Sequence, residues 1–257
     1  PLEIRLKNAL VEGDSIAVGQ KPKAVAIKPC LEKVAQAVDY APGKTFKSKS
    51  KKYAKGRGIS ALLYTSSILN NPNPSAAVVV LKTDGSMVIQ TGSTDIGQGS
   101  KTVLSQMAAE ILGIPLDKIT VTTADTITTP YDQITASSRI TWVTGNAVVQ
   151  AAREVRQILT ECAAQLMEVP PEDLKFAEGK IFVHGSVDKF ITVEEIARHI
   201  FQKKGEVVVG KGLFAPPQVR MDHETGQGEP TPCYIFGAAI AEVEVDIRTG
   251  QIDVLEI

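Results

Sequence analysis

A glycine-rich loop is the first segment of this chain whose residues could bind an anion. It reads Gly92-Ser-Thr-Asp-Ile-Gly97-Gln98-Gly99 and lies between a predicted strand, Met87–Thr91, and a predicted helix, Ser100–Leu112. Backbone N–H groups at the start of a helix favour negative charge, and glycine lets a backbone approach a ligand closely. A nucleotide-hydrolase loop would need lysine where Gln98 stands, which disfavours that function. A turn that only packs the helix is an open alternative.

A second candidate segment is residues 135–141, Thr-Ala-Ser-Ser-Arg-Ile-Thr, which lead into a long predicted helix. Four hydroxyl groups and one guanidinium can surround a phosphorylated ligand, with Arg139 predicted as the strongest phosphate ligand. A Ser/Thr-rich helix entry is the alternative. The predicted helix between the two segments, at 100–112, is about 20 Å long, and the strand after it returns the chain toward the start of that helix. We therefore expect both segments at one end of the structure.

Other kinds of site find little support in the residue spacing. Asp95, Asp125 and Asp132 do not match a calcium-binding loop, and no serine is coupled to a histidine by the sequence. The three cysteines form no CxxC pair, which disfavours an iron–sulfur or zinc site, and we predict reduced, buried thiols. The histidines have no metal-ligand spacing.

Composition places the chain among globular proteins. Its 257 residues suffice for one large or two small domains, and 43% of them are hydrophobic. Lys and Arg (28) nearly balance Asp and Glu (29), which argues against nucleic-acid binding. No apolar run approaches the roughly 18 residues of a membrane span. We therefore expect a cytoplasmic protein without a membrane or nucleic-acid partner, and interpret the lysine-rich residues 44–55 as a solvated linker.

The elements predicted around the two segments mix helices with strands. Hydrophobic periodicity predicts helices at 2–11, 25–38, 100–112, 144–167 and 193–201, and strands at 58–64, 76–82, 87–91 and 119–121. Hairpins are predicted at 175–190 and 234–257, and a loop at 212–232. Without a regular βαβ repeat the fold class is α+β. A substructure at 1–167, with both candidate segments, and a strand-rich remainder at 168–257 are expected.

Two longer stretches carry a resemblance to a known family. Residues 91–115, TGSTDIGQGSKTVLSQMAAEILGIP, resemble the glycine–glutamine–glycine segment of the molybdenum hydroxylases, which include xanthine dehydrogenase and aldehyde oxidase. Residues 124–148, ADTITTPYDQITASSRITWVTGNAV, resemble the next cofactor segment of that family. The flanks PLEIRLKNALVEGD, RGISALLYT and GAAIAEVEVDIRTGQIDV are also similar, so the resemblance covers nearly the whole chain.

The resemblance implies a part of the molybdopterin-binding subunit. It implies that the pterin carries molybdenum through a dithiolene. It leaves open whether the cofactor ends in a simple phosphate or is extended to a cytosine dinucleotide. The cofactor-binding residues implied are Ile96, Gly97, Gln98, Gly99, Thr135, Ala136, Ser137, Ser138, Arg139 and Thr141. Residues Ser66, Ser67 and Ile68 align weakly with a substrate-channel region.

The implied activity is the hydroxylation of a purine, aldehyde or N-heterocycle with oxygen from water. Electrons would leave through iron–sulfur clusters, and in some enzymes FAD, on other domains or subunits. The family's glutamine-bearing segment and its glutamate base are missing from these residues, so no catalytic residue is assigned. We expect both ends of the chain to be cut, and the 257 residues alone to be inactive and without stoichiometric molybdenum. A binding or assembly module that kept the fold and lost the chemistry is the alternative.

Overall fold

The computed structural model describes residues 1–40, 48, 50–66, 73–217 and 220–257. Within them the α-helices are α1 (Leu2–Lys7), α2 (Ile27–Ala37), α3 (Ser100–Leu112), α4 (Gly145–Met167) and α5 (Val193–His199). The strands are β1 (Tyr53–Thr65), β2 (Ser75–Leu81), β3 (Met87–Thr91), β4 (Ile119–Thr123), β5 (Leu174–Ala177), β6 (Lys180–Val183), β7 (Ser186–Thr192), β8 (Val208–Phe214), β9 (Tyr234–Asp246) and β10 (Ile252–Glu256). π-Helical turns cover Ile140–Thr144 and Ile200–Lys204.

The chain divides into two compact units. Unit 1 comprises Pro1–Asn70 and Val219–Ile257, and unit 2 comprises Asn71–Gln218. These bounds differ from a division after residue 167, because β8 pairs with β2 and so belongs to the same unit as the glycine-rich loop. Residues 44–47 and 49 of the predicted lysine-rich linker lie outside the described residues, and its last three residues, 53–55, were predicted wrongly because they belong to β1.

Unit 1 is built on an antiparallel sheet with the order β1-β9-β10. β1 and β9 pair along their whole length, from Tyr53 opposite Asp246 to Thr65 opposite Tyr234. The predicted terminal hairpin is confirmed as β9 and β10. Ile27 and Leu31 of α2 are buried together with residues of both long strands, which gives this unit its own small core.

Unit 2 contains a mixed sheet with the order β4-β3-β2-β8. β2 and β3 form a hairpin that turns at Asp84-Gly85. β3 and β4 are parallel, and α3 connects them. In β2 the side chains alternate, and Ala77, Val79 and Leu81 are buried, as a strand with one face on the core requires. The helices and strands mix as expected for the α+β class.

The predicted bounds of helix α3, Ser100–Leu112, are confirmed. Leu104, Ala108 and Leu112 lie on its buried stripe and are completely inaccessible to solvent. The helix ends at Gly113, which has a left-handed conformation (φ 61°) and whose N–H donates to Ala109 O at 2.8 Å.

The predicted elements were wrong at the first helix, which was expected to reach residue 11 but ends at Lys7, and at strand β8. Residues 212–214 were predicted as loop, but they continue a strand that starts at Val208 and pairs with β2. Gly210 and Gly212 lie against α4, and a Cβ on Gly212 would overlap the carbonyl oxygen of Ala147. The glycines therefore reflect close packing of a helix on a strand, not a turn.

The parallel pairing of β3 and β4 positions the two candidate segments. Thr91, the last residue of β3, is opposite Thr123, the last residue of β4. The chain leaves both strands at the same edge of the sheet, where the first segment follows β3 directly and residues 124–134 lead from β4 to the second segment. Ligands commonly bind outside the carboxyl ends of parallel strands.

No helix among the described residues is both long and apolar enough to cross a membrane. Cys162 is buried, and desolvation raises the pKa of its thiol. Cys30 is half-buried and Cys233 is exposed, so the prediction of buried thiols is wrong for Cys233. This residue lies in the irregular segment before β9, away from the packed core.

Candidate functional site

The glycine-rich loop, residues 92–99, is shaped by the carboxylate of Asp95. Its two oxygens accept hydrogen bonds from Gly97 N at 2.9 Å and Lys101 N at 3.1 Å. These backbone donors lower the pKa of the Asp95 carboxyl from its ordinary value, the bond from Gly97 most of all. The anion expected at the start of α3 is thus supplied by the loop itself, and Asp95 would repel a phosphate at that point.

The side chain of Gln98 also stabilises this loop, through hydrogen bonds to its backbone. Its Oε1 accepts from Ile96 N at 2.6 Å, and its Nε2 donates to Thr94 O at 3.1 Å. Ile96 is 70% exposed, and a Cβ added to Gly97 (φ 101°) would meet no atom within 4 Å. The tip of the loop therefore presents backbone and the exposed side chains of Ile96 and Gln98 to its surroundings.

The second segment, residues 135–141, has an unusual backbone. Ser137 (φ 51°) and Ser138 (φ 47°) are both in the left-handed region, and the π-helical turn Ile140–Thr144 follows. Such conformations cost of order 1–3 kcal/mol each and are concentrated at functional sites. Ala136, Ser138 and Thr141 are exposed, whereas Thr135 and Ser137 are half-buried. This segment offers accessible hydroxyl groups, as predicted.

The structure brings the two segments into contact, as expected from the sequence. Thr94 N of the first segment donates to Thr135 Oγ1 of the second at 2.8 Å. At Gly92 the backbone comes so close to residues 130–132 that an added Cβ would lie 2.5 Å from Pro130 O and 2.8 Å from Asp132 N. Only glycine permits this approach.

The predicted role of the Arg139 side chain does not fit the structure. The side chain is completely buried and forms an ion pair with Asp132. It also donates to Ile134 O at 2.8 Å, to Ser75 Oγ at 2.8 Å, and to Asn73 O and Pro74 O. A guanidinium held by these acceptors stabilises the fold under the segment and is not presented to a phosphate.

Of the weakly predicted substrate residues, the structure describes only Ser66. Ser66 lies in unit 1, is buried, and donates its backbone N–H to Cys233 O at 3.1 Å. These contacts continue the pairing of β1 with β9. Ser67 and Ile68 lie outside the described residues.

A buried polar cluster beneath the two segments was missed by sequence reasoning. It consists of Ser75, Ser93, Asp132 and Thr144, together with Arg139. Its members come from a strand, two loops and a π-helical turn, so no local spacing marks them. The available signal was weak: hydroxyl residues at the start of β2 and the end of β3, where the pattern is otherwise apolar.

Comparison with known proteins assigns the chain to a family. A sequence profile described as the molybdopterin cofactor-binding domain matches residues 33–257. The chain belongs to this family. Its members' shared description confirms the cofactor class that the resemblance implied. In this molybdopterin cofactor-binding domain, both candidate segments fall within the matched residues.

Relatives with assigned names agree with the family. The chain is 29% identical over 259 aligned residues to the xanthine dehydrogenase molybdenum-binding subunit of Escherichia coli O157:H7, covering 99% of the chain and 33% of the relative. It superimposes on the quinoline 2-oxidoreductase of Pseudomonas putida 86 with a TM-score of 0.75 and 20% identity, covering 99% of the chain and 33% of that structure.

The aldehyde oxidoreductase of Desulfovibrio gigas gives a TM-score of 0.70 at 28% identity, over 99% of the chain and 25% of that structure. The chain therefore spans about a third or less of the length of these relatives. The relatives are named as oxidoreductases, and the domain is one part of such proteins.

The donor set of this domain fits a pterin better than a bare metal ion. Within the ranges that the structure describes, no three His, Cys, Asp or Glu side chains are grouped to hold a metal. The two segments instead offer hydroxyls and backbone at a surface, with open space at Gly97 and Gly99 where a Cβ would project. Such groups suit a polar organic ligand that brings its own metal ligands.

Proposed function

We propose that this domain forms one wall of the cofactor site in a molybdenum hydroxylase. The observation that carries the proposal is the hydrogen bond of Thr94 N to Thr135 Oγ1, which joins two polar segments outside the carboxyl ends of parallel strands. The family match and the named relatives support the same function.

The two segments would have different tasks. Asp95 already satisfies N–H groups at the start of α3, so the first segment suits the neutral pterin, through its backbone at Ile96–Gly99 and the amide of Gln98. The second segment, with exposed Ser138 and Thr141, suits the phosphate or a dinucleotide end. Ser138 and Thr141 would donate O–H groups to phosphate oxygens, and the buried Arg139 would keep them in place.

When bound, molybdopterin would supply a metal centre that hydroxylates carbon with oxygen from water. The residues of this domain would bind and orient it and move no proton. The proposed substrates are a purine, an aldehyde or an N-heterocycle, in keeping with the names of the relatives. Electron transfer would use iron–sulfur and, in some arrangements, FAD domains or subunits of the same enzyme.

Elemental analysis of the complete protein tests this function. We expect about one molybdenum per copy of the complete protein after expression in a host that makes the cofactor. Acid hydrolysis of the released cofactor should yield CMP if the dinucleotide form is bound, and none if the mononucleotide is. A folded protein that carries neither molybdenum nor a fluorescent pterin would support the non-catalytic module instead.

Gln98→Ala should lower the cofactor content while the protein stays folded. The change removes two hydrogen bonds that shape the loop and an amide available to the pterin. A loss of about 1–3 kcal/mol in binding is expected, because partners are left without a hydrogen bond. Molybdenum per chain and the dissociation rate of the cofactor measure the effect.

Gln106→Ala is the matched control, since Gln106 is exposed on α3 beyond the loop. It should keep the molybdenum content of the unaltered protein. Equal content and turnover in both variants would make Gln98 a turn residue without a role in binding.

A further inference from the structure

The carboxylate of Asp132 collects hydroxyl groups from three separate places in unit 2. Its Oδ2 accepts from Ser75 at 2.9 Å, from Thr144 at 3.1 Å and from Ser93 through a short bond. Ser75 starts β2, Ser93 follows β3, and Thr144 ends the π-helical turn. One buried carboxylate thus joins the first segment, through Ser93, to the start of β2 and to the end of the π-helical turn.

Arg139 neutralises this carboxylate and anchors the second segment. Its Nη1 binds Asp132 Oδ1, and the side chains are 0% and 1% exposed. In a buried environment a charge is stable only when paired and hydrogen-bonded. The ion pair therefore compensates the buried carboxylate that accepts from the three hydroxyl groups.

The same ion pair lies next to the strained backbone. Ser137 and Ser138, both left-handed, immediately precede Arg139. Strained residues persist only where the surrounding structure over-determines them. The buried Arg139 on one side and the bond from Thr94 N to Thr135 on the other fix the two ends of this strained turn.

We propose that Asp132 is a positioning residue for the cofactor site. It does not contact the ligand, but it sets the separation and the conformation of the two segments that do. The proposal rests on the proposed function, and it adds a group that neither segment contains. Removal of one hydroxyl of the cluster should loosen the contact between the segments even though every predicted ligand residue remains.

The decisive variants are Asp132→Asn and Ser93→Ala in the complete protein. Asp132→Asn keeps the size and removes the charge. Ser93→Ala is milder and removes one buried hydroxyl that lies outside the predicted ligand set. Ser105→Ala is the matched control, because Ser105 is also a buried serine of unit 2 but belongs to α3 and is not among the hydrogen-bond partners of Asp132 in the described structure.

Two measurements give the outcome. In cofactor-free protein, hydrogen–deuterium exchange at the amide of Thr94 should accelerate roughly tenfold or more in both decisive variants, with unchanged exchange in α5. In loaded protein, the cofactor should dissociate about 10- to 100-fold faster, the range found for groups that orient metal ligands. Ser105→Ala should change neither.

Failure of the proposed function and failure of the positioning role of Asp132 give different results. If the unaltered protein binds no molybdopterin, the proposed function is wrong, and the exchange rate at Thr94 still tests the positioning role. If the unaltered protein is loaded but Ser93→Ala and a folded Asp132→Asn exchange and dissociate like the control, the positioning role is wrong. If Asp132→Asn does not fold, Ser93→Ala decides.

Discussion

Arg139→Met is expected to lower the free energy of unfolding by about 3–5 kcal/mol. The substitution leaves the Asp132 carboxylate buried without its cation, and the removal of one partner from a buried ion pair has this cost. It also deprives Ile134 O and Ser75 Oγ of a donor. Urea unfolding followed by the fluorescence of Trp142, the single tryptophan, reports on the same part of unit 2.

Two further variants make this prediction specific. Arg153→Met, at an exposed position of α4, should change stability by about 0.5 kcal/mol or less. The double variant Arg139→Met/Asp132→Asn should lose less than the sum of its single changes, because no charge remains buried. Additive losses, or an Arg139→Met as stable as Arg153→Met, would show that the ion pair is not buried as described.

Gly212→Ala should be nearly as damaging, at about 3 kcal/mol. Its Cβ would overlap the carbonyl oxygen of Ala147 in α4, and a backbone atom cannot rotate away as a side chain can. The strand and the helix must separate, which opens the core of unit 2. The midpoint of urea unfolding measures the loss.

Gly58→Ala provides the comparison within a strand. Gly58 lies in β1, and an added Cβ there would meet no atom within 4 Å. Stability should stay the same or rise by up to about 1 kcal/mol, because alanine restricts the unfolded chain. If Gly212→Ala unfolds at the same midpoint as Gly58→Ala, β8 does not pack on α4 as closely as described.

The elements predicted well from sequence are those whose local signals are complete. Helix α3 has an uninterrupted apolar stripe and a glycine at its end, and β3 follows an Asp-Gly turn, so their bounds were predicted to the residue. Helix α4 was predicted one residue too early, because the π-helical turn before it continues the helical periodicity.

The failures concern contacts that join distant parts of the chain. In β8, glycines that allow the approach of a helix were interpreted as loop residues, since the sequence does not reveal what packs on them. Arg139 was predicted as a phosphate ligand, but its acceptors include Ser75 and Asn73, and only the fold shows that they surround it. The same reason hid the role of Asp132, which the sequence presented as one unconnected acidic residue.

The pairing of β1 with β9 has a consequence for the order of folding. Thr65 and Tyr234 are opposite each other in register, and the whole of unit 2 lies between them in the chain. The longest ladder of unit 1 cannot form until residues Tyr234–Asp246 have left the ribosome, by which time all of unit 2 has been synthesised. Once unit 2 is folded, its first and last residues are held at a fixed separation, which shortens the flexible loop that the pairing of β1 with β9 must close. The gain is small, because the entropic cost of closing a loop rises by only about 0.6 kcal/mol for each doubling of its length. During synthesis, the two candidate segments would therefore be assembled before the strands β1 and β9 that flank them in the sequence have paired.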